Sequence, residues 1–276
     1  MERMKMLGVV TLFNTEKETA LNNIERYAPH IDRLIVWDNS SENHADWFSS
    51  PHIDYHWTGQ NTFIAPAINY AWHQASQNGF NSLLLMDDDS QWDDFAAYRQ
   101  DVEQHLSEGQ MMVYTPFVLG TDTFPPTQLE HEKRLFINSG TVIPIEILHA
   151  ICGVDEQAFP LDALDHDIAL NIIEHGYKAV CLCRHQLRHA LGNPQRMGPF
   201  RIFTPNYNRL RTYSMTRSHI ICYRKHKALM TKEDKDYLFH EIIRRKFLRI
   251  ILAEPDKARR LAAFFKGIIS GYTYKL

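Results

Sequence analysis

The sequence predicts an α/β fold, a mostly parallel sheet flanked by helices with a helical, basic C-terminal extension. Short apolar runs at 7–13, 34–37, 53–57 and 83–86 are interleaved with helical patterns at 16–27, 64–77 and 93–106. Strands alternating with helices build parallel pairs through crossovers. Apolar residues are 44% and charged residues 23% of the 276, the balance of a globular chain rather than a disordered one. Charge is lopsided: residues 1–200 carry 12 Lys and Arg against 27 Asp and Glu, and residues 201–276 carry 18 against 6. That asymmetry suits the C-terminal end to an anionic surface.

Leu7-Gly8-Val9-Val10-Thr11-Leu12-Phe13 reads as a first buried strand, since a short apolar run bounded by polar residues marks a strand covered on both faces. Asn14-Thr15 is a turn, and 16–27 a helix with Leu21 and Ile24 inward. The second strand ends in Asp38-Asn39-Ser40-Ser41. Ile64, Ile68, Ala71, Trp72 and Ala75 recur at helical spacing. After Leu83-Leu84-Leu85-Met86 come a helix at 93–106 and a strand at 111–117; Phe124-Pro125-Pro126 then breaks the regular pattern. A strand at 136–143, helices at 145–151 and 165–175, and a strand at 179–183 follow, the second helix stopping at Gly176. Cys181 and Cys183 alternate onto one face of that last strand, and without a second Cys pair they read as core thiols. Residues 192–205 read as a Pro/Gly-rich loop, and helices follow at 207–227, 233–253 and from Pro255 to about 269. The expected division is a catalytic domain over 1–205 and a basic helical region over 206–276 packed on it. No stretch approaches the roughly 18 apolar residues of a membrane span, and Met1–Lys5 leads into a strand without a signal-peptide core. The expected location is therefore cytoplasmic.

Three consecutive carboxylates, Asp87-Asp88-Asp89, follow the fourth apolar run. Adjacent negative charges cannot stay ionised in a core without cations, so they belong where a strand surfaces. Ligands of open α/β sheets bind outside the carboxyl ends of the strands. Carboxylates there suit a hard divalent cation and, through it, a diphosphate; a solvated acidic turn is the plainer reading. Asp38 ends a strand and offers an acceptor to a pyrimidine N3–H, or closes an ordinary turn. Asp162, Asp165 and Asp167 precede or open a helix, where carboxylates complement the helix dipole or serve as a general base. His189, just past a strand, offers a neutral imidazole that could complete a metal site with Asp89. No Gly-rich phosphate loop is present, which argues against dinucleotide dehydrogenases and P-loop enzymes.

The order of these motifs resembles family 2 glycosyltransferases of the GT-A fold, in particular bacterial rhamnosyltransferase-like members, from about Leu7 to Lys227. The resemblance is carried by Val9–Asn14, Val36–Ser41, Asn61–Asn69, Leu85–Ser90, Asn138–Thr141, the Asp162–Lys178 segment, His189 with Gly192, and Arg211-Thr212-Tyr213 followed by Arg217. It implies Asp165 as catalytic base. It implies donor contacts at Thr11, Asn14, Asp38, Asn61, Ala65, Asn69, Asp87, Asp88, Arg211 and Arg217. Acceptor contacts would fall at Asp162 and Asp167, with Mg²⁺ or Mn²⁺ held by Asp87, Asp89 and His189. The implied partners are a nucleotide diphosphate sugar (dTDP-rhamnose, UDP-galactofuranose or a UDP-hexose) and a saccharide or lipid-linked saccharide acceptor, in bacterial surface polysaccharide synthesis. Phe63 stands where the family usually has Gly, Leu164 where Glu often precedes the base, Asp167 in place of Glu, and Ser218 in place of Asn.

Alternatives of other classes are a sugar-nucleotide-binding protein without transferase activity and a metal-dependent phosphatase, although the usual Thr or Val does not follow Asp89 and the motif is not on the first strand. No RNA-binding motif accompanies the basic end, so nucleic acid is not an expected partner. Ile242, Ile243, Phe247, Ile250 and Ile251, beside Arg244, Arg245 and Arg249, form a basic amphipathic stripe. It either packs on the catalytic domain or lies on the inner face of the cytoplasmic membrane.

Overall fold

The computed structural model describes residues 3–123, 128–189 and 195–276. The Phe124-Pro125-Pro126 break and Gly192 lie outside them. The chain divides into two compact units, Met1–Glu156 with Ile168–His189, and Gln157–Asp167 with Ala190–Leu276.

The first unit contains β1 (Met6–Leu12), α1 (Lys17–Ile24), β2 (Arg33–Asp38), β3 (Ile53–Trp57), α2 (Ala65–Gln77), β4 (Ser82–Asp87), β5 (Ser90–Trp92), α3 (Phe95–Ser107), β6 (Val113–Leu119), β7 (Glu130–Glu132), β8 (Thr141–Pro144) and α4 (Ile145–Ala150). The division falls within α5 (Leu164–Glu174), after which β9 (Ala179–His189) completes the sheet. Strand order is β3-β2-β1-β4-β8-β6-β9-β5, with β7 also on β9. The β3-β2-β1-β4 block is parallel, β8 runs antiparallel between β4 and β6, and β6 and β9 are again parallel. β1 and β4 are buried along almost their whole length, which is why both read as uninterrupted apolar runs. Trp92, Phe95 and Tyr98 stack beneath the sheet, with Trp92 4.6 Å from Tyr98 and 5.1 Å from Phe95. Cys181 and Cys183 are free, buried thiols packed with Phe117.

The short strands β5 and β7 are absent from the sequence reading, and two expected strands have other bounds. β8 begins at Thr141 rather than 136, because Gly140 adopts φ +81° and its amide turns to the Leu85 carbonyl at 2.8 Å. β9 continues six residues beyond Cys183: Arg184 and Arg188 are exposed while His185 and Leu187 are buried. The apolar run stops at Cys183, but the period-two alternation of a half-covered strand continues to His189.

The second unit holds a hairpin of β10 (Gln195–Met197) and β11 (Ile202–Thr204) where a loop was expected, then α6 (Arg209–His226), α7 (Lys232–Tyr237), α8 (Lys246–Leu252) and α9 (Lys257–Thr273). Gly198, at φ +70°, turns the hairpin; a Cβ there would lie 2.7 Å from the Leu252 carbonyl oxygen. The single helix expected over 233–253 is α7 and α8 joined by a π-helical segment, Leu238–Arg245. Leu238, Ile242, Lys246 and Ile250 are buried at strict four-residue spacing, which drifts about 40° per step on an α-helix. The wider π turns offset that drift. The stripe expected over 242–251 is therefore divided: Ile242 and Ile250 are buried, Phe247 packs 5.9 Å from Phe264, and Ile251 is exposed. Buried Glu254 accepts from Thr204 at 2.6 Å, Arg260 at 2.8 Å and Lys246 at 3.1 Å, which satisfies charges that would be untenable alone. Among the described residues no helix is long and apolar enough to cross a membrane.

Candidate active site

The strand order explains how distant motifs meet. β2 and β3 lie on one side of β1 and β4 on the other, which makes the carboxyl ends of β1 and β4 the switch point where open α/β sheets bind ligands. There Thr11 is paired with Trp37 on one side and Asp87 on the other, and Leu12 is paired with Asp38.

The middle aspartate faces away from the outer two. Asp88 turns back into the fold: its Oδ2 accepts from the Phe13 amide at 3.1 Å and from the Thr15 hydroxyl, and its carbonyl accepts from Asn23 Nδ2 at 2.8 Å. Burial raises its carboxyl pKa, against the lowering pull of Thr15 and Phe13, and the Asp89 charge raises it further. Asp87, Asp89 and His189 each offer one ligand atom, all within 4.8 Å of one another. His189 reaches this position because β5 pairs with β9, placing Ser90 opposite it. Its Nδ1 lies 2.8 Å from Ser90 Oγ and 3.2 Å from Asp89 Oδ1. Ser139 Oγ donates to Ser90 Oγ at 2.7 Å and accepts from the Asp87 amide at 3.1 Å. Two carboxylates and one imidazole, positioned by two hydroxyls, form a donor set that fits a divalent cation.

Asp38 is fully buried. Its Oδ1 accepts from the Ser40 amide at 2.8 Å, and its Oδ2 meets Tyr55 Oη at 2.7 Å and His44 Nδ1 at 2.8 Å. Burial and the Asp38 hydrogen bond raise the Tyr55 phenol, keeping it a donor. Ser40 Oγ in turn accepts from the Asn14 amide at 2.9 Å, and Asn14 sits at φ +54°. Asn39 fixes the next loop: its Oδ1 accepts from the Thr62 amide at 2.9 Å and its Nδ2 donates to the Phe63 carbonyl at 2.9 Å. Asn61 Oδ1 accepts from the Phe63 amide at 2.8 Å. Phe63 stands at φ +68°, a left-handed conformation in which Gly avoids the Cβ clash. Its backbone thus has the conformation that Gly would favour. Ala65 is buried at the start of α2. Asn69 bridges to the Val154 backbone, accepting at 2.9 Å and donating at 2.9 Å.

In the second unit, Asp165 is half-buried in the first turn of α5, and its Oδ1 accepts from the His166 amide at 2.9 Å. Asp167 is fully buried, and its Oδ1 takes Lys225 at 2.9 Å and His226 at 2.7 Å. Arg217 Nη1 donates to the Gln157 carbonyl at 2.9 Å and stacks on Tyr274. Arg211 stacks on Tyr207 and lies 3.6 Å from Asp162. The Asp162 side chain is 8% exposed. Burial pushes its carboxyl up to about 6, with Arg211 opposing and Asp165 adding to the shift. A pKa raised above the unfolded value of about 3.9 means the folded state holds the extra proton; stability is full below that value and falls as pH rises through about 6. Asp162→Asn is expected to flatten that slope and gain on the order of 2 kcal/mol near pH 7. Urea unfolding near pH 4 and 7 reads this, and an unchanged slope assigns the titration to another group.

Thr15, His44 and Tyr55 carry no functional role in the sequence reading, and Ser90 and Ser139 enter only as parts of the Leu85–Ser90 and Asn138–Thr141 motifs. Serine and threonine are common, and their partners lie 49 to 99 residues away, so only the sheet register reveals them.

The class that this fold defines is the GT-A glycosyltransferase fold. Among solved structures, the chain is similar to GalNAc-T7 with UDP, GalNAc and Mn²⁺ (TM-score 0.63, 10% identity), over 97% of this chain and 56% of that one. It thus spans little more than half of the GalNAc-T7 chain. It is also similar to S. aureus TarS 1–349 (TM-score 0.57, 12% identity), over 96% of this chain and 81% of that one. The same TarS segment in complex with UDP-GlcNAc matches with TM-score 0.54 and 13% identity, over 96% and 82% of the two chains. No protein-family model and no curated protein matches the chain.

Proposed function

We propose that the chain is an inverting, metal-dependent glycosyltransferase of the family 2, rhamnosyltransferase-like type, which moves a sugar from a nucleotide diphosphate donor to an acceptor hydroxyl. The observation that carries the proposal is the Asp87–Asp89–His189 cluster at the switch point of a GT-A fold. The solved structures that share the fold include complexes with UDP, UDP-GlcNAc and Mn²⁺. Asp87, Asp89 and His189 would hold Mn²⁺ or Mg²⁺, and the imidazole would favour Mn²⁺, since Mg²⁺ prefers oxygen ligands. Bound there, the cation supplies Lewis-acid neutralisation of the departing diphosphate.

The chain's own residues do the rest. Asp88 holds the turn that presents Asp87 and Asp89. Asp38, through Ser40 and Asn14, and Asn39, through Thr62 and Phe63, set the backbone around the donor base. Asp165 accepts the acceptor hydroxyl proton on a carboxylate oxygen as that hydroxyl attacks the anomeric carbon. Arg211, 3.6 Å from Asp162, and Arg217 supply positive charge that neutralises phosphates of donor or acceptor. The donor is dTDP-rhamnose, UDP-galactofuranose or a UDP-hexose, the acceptor a saccharide or lipid-linked saccharide of a surface polysaccharide, and the place of work the inner face of the cytoplasmic membrane.

Thermal unfolding with UDP, dTDP and their sugar conjugates, with and without Mn²⁺, tests the donor class. A ligand at 100 times its Kd stabilises by about 2.7 kcal/mol. Mn²⁺-dependent stabilisation by one conjugate is expected. Stabilisation by none of them, with or without the metal, overturns the proposal.

A further inference from the structure

α9 carries two apolar stripes, and only one is covered. Phe264, Gly267 and Gly271 are buried. The glycines allow backbone approach to α6: a Cβ at Gly267 would stand 2.8 Å from the Tyr213 carbonyl oxygen, and one at Gly271 2.7 Å from Ile220 Cβ. On the opposite side Ala258, Ala262, Phe265, Ile269 and Tyr272 recur at spacings of four and three, a continuous stripe on a helix. Phe265 is 49%, Ile269 64% and Tyr272 50% exposed. A helix that is apolar on both sides is ordinarily buried on both.

The charges beside this outer stripe say what covers it. α9 contains no acidic residue. Arg259 and Lys266, seven residues apart and both exposed, run along one flank, and exposed Lys257 lies on the other. Arg260 is buried and turned inward, onto Glu254 at 2.8 Å, while Lys266 is exposed with its Nζ 5.6 Å from the Tyr213 ring centroid. A second copy of this chain docked on the same face would bring cationic flanks together, and like charges at an interface disfavour association. A surface that is apolar beneath and anionic above satisfies both stripe and flanks. Aromatic and aliphatic side chains enter the boundary between headgroups and acyl chains, and Lys and Arg meet the phosphates.

We propose that the outward face of α9 docks the protein on an anionic phospholipid bilayer. This deepens the membrane part of the reading above and is independent of the transfer chemistry. Phe265, Ile269 and Tyr272 enter the interface, with Arg259 and Lys266 at headgroup level.

The test is flotation of the full chain with vesicles of phosphatidylglycerol and phosphatidylcholine, against phosphatidylcholine alone, at low and high salt. Flotation is expected on the mixed vesicles at low salt, and loss of it on the neutral ones. Phe265→Ser with Ile269→Ser is expected to weaken partitioning at least tenfold, and Arg259→Ser with Lys266→Ser roughly tenfold. Both pairs should keep the circular dichroism and Mn²⁺-dependent donor stabilisation of the parent, so failure to float and failure to bind donor are read separately. No flotation of the parent on anionic vesicles overturns the proposal, as does equal flotation of the variants. A concentration-dependent dimer in light scattering, abolished by Phe265→Ser with Ile269→Ser, assigns the face to a second copy and overturns it as well.

Discussion

Asp89→Ala is expected to abolish Mn²⁺-dependent donor binding and to lower sugar transfer by about 10³-fold or more, the scale on which losing Lewis-acid stabilisation of a leaving diphosphate acts. Asp89 is half-buried, and its Oδ1 faces His189 at 3.2 Å. It lies beside Asp87 and Asp88, so removing one of three adjacent negative charges relieves repulsion in the metal-free protein. The melting temperature without metal should hold or rise slightly, while the increment added by Mn²⁺ and nucleotide disappears. This pairing separates a ligand from a structural residue, because loss of a structural residue lowers stability with or without metal. Calorimetric titration of Mn²⁺ in the presence of nucleotide reads the binding, and radiolabelled transfer reads the rate. Undiminished Mn²⁺ affinity in the variant would remove the cluster from the mechanism.

Asp165→Asn is expected to leave donor binding intact and to lower kcat by about 10²- to 10⁴-fold, the range assigned to a positioned general base. The side chain lies in the first turn of α5 and is half-buried, and its oxygen accepts from the His166 amide. An amide oxygen keeps that hydrogen bond, so the fold tolerates the change. Asp162 supplies the control. Its carboxyl is pushed up to about 6 by burial, and Asp162→Asn should shift the pH dependence of stability without matching the loss in kcat. If Asp162→Asn instead costs the full factor and Asp165→Asn costs less than tenfold, the base assignment moves to Asp162.

The sheet was legible where both faces are covered. β1, β2 and β4 are buried strands and read as apolar runs; Asp87 ends β4 half-buried, where the strand surfaces, whereas Asp38 ends β2 fully buried. The divergent order around β1 then brings them to one edge, which sequence alternation implies through parallel pairing. The far end of β9 was not legible, since Arg184, Gln186 and Arg188 interrupt its apolar character. Three-residue strands such as β5, β7, β10 and β11 are too short for a period to register. Neighbouring side chains in an acidic run look identical in one dimension; only the turn shows that Asp88 points into the fold while Asp87 and Asp89 approach His189. Asp167 illustrates the same limit. Its carboxylate is fully buried against Lys225 and His226, partners 58 and 59 residues away that no local pattern reveals.

The inward turn of Asp88 makes the acidic triplet a peg between two rails rather than a row of equals. Through Phe13, Thr15 and Asn23 it locks the segment carrying Asp87 and Asp89 to the mouth of the first strand and the opening of the first helix. The Asp87–Asp89–His189 cluster is thereby indexed to the most deeply embedded part of the sheet. Substitution at the middle position is expected to loosen the scaffold itself, since Asp88 alone of the three ties β4 to the Phe13–Asn23 segment through these three hydrogen bonds.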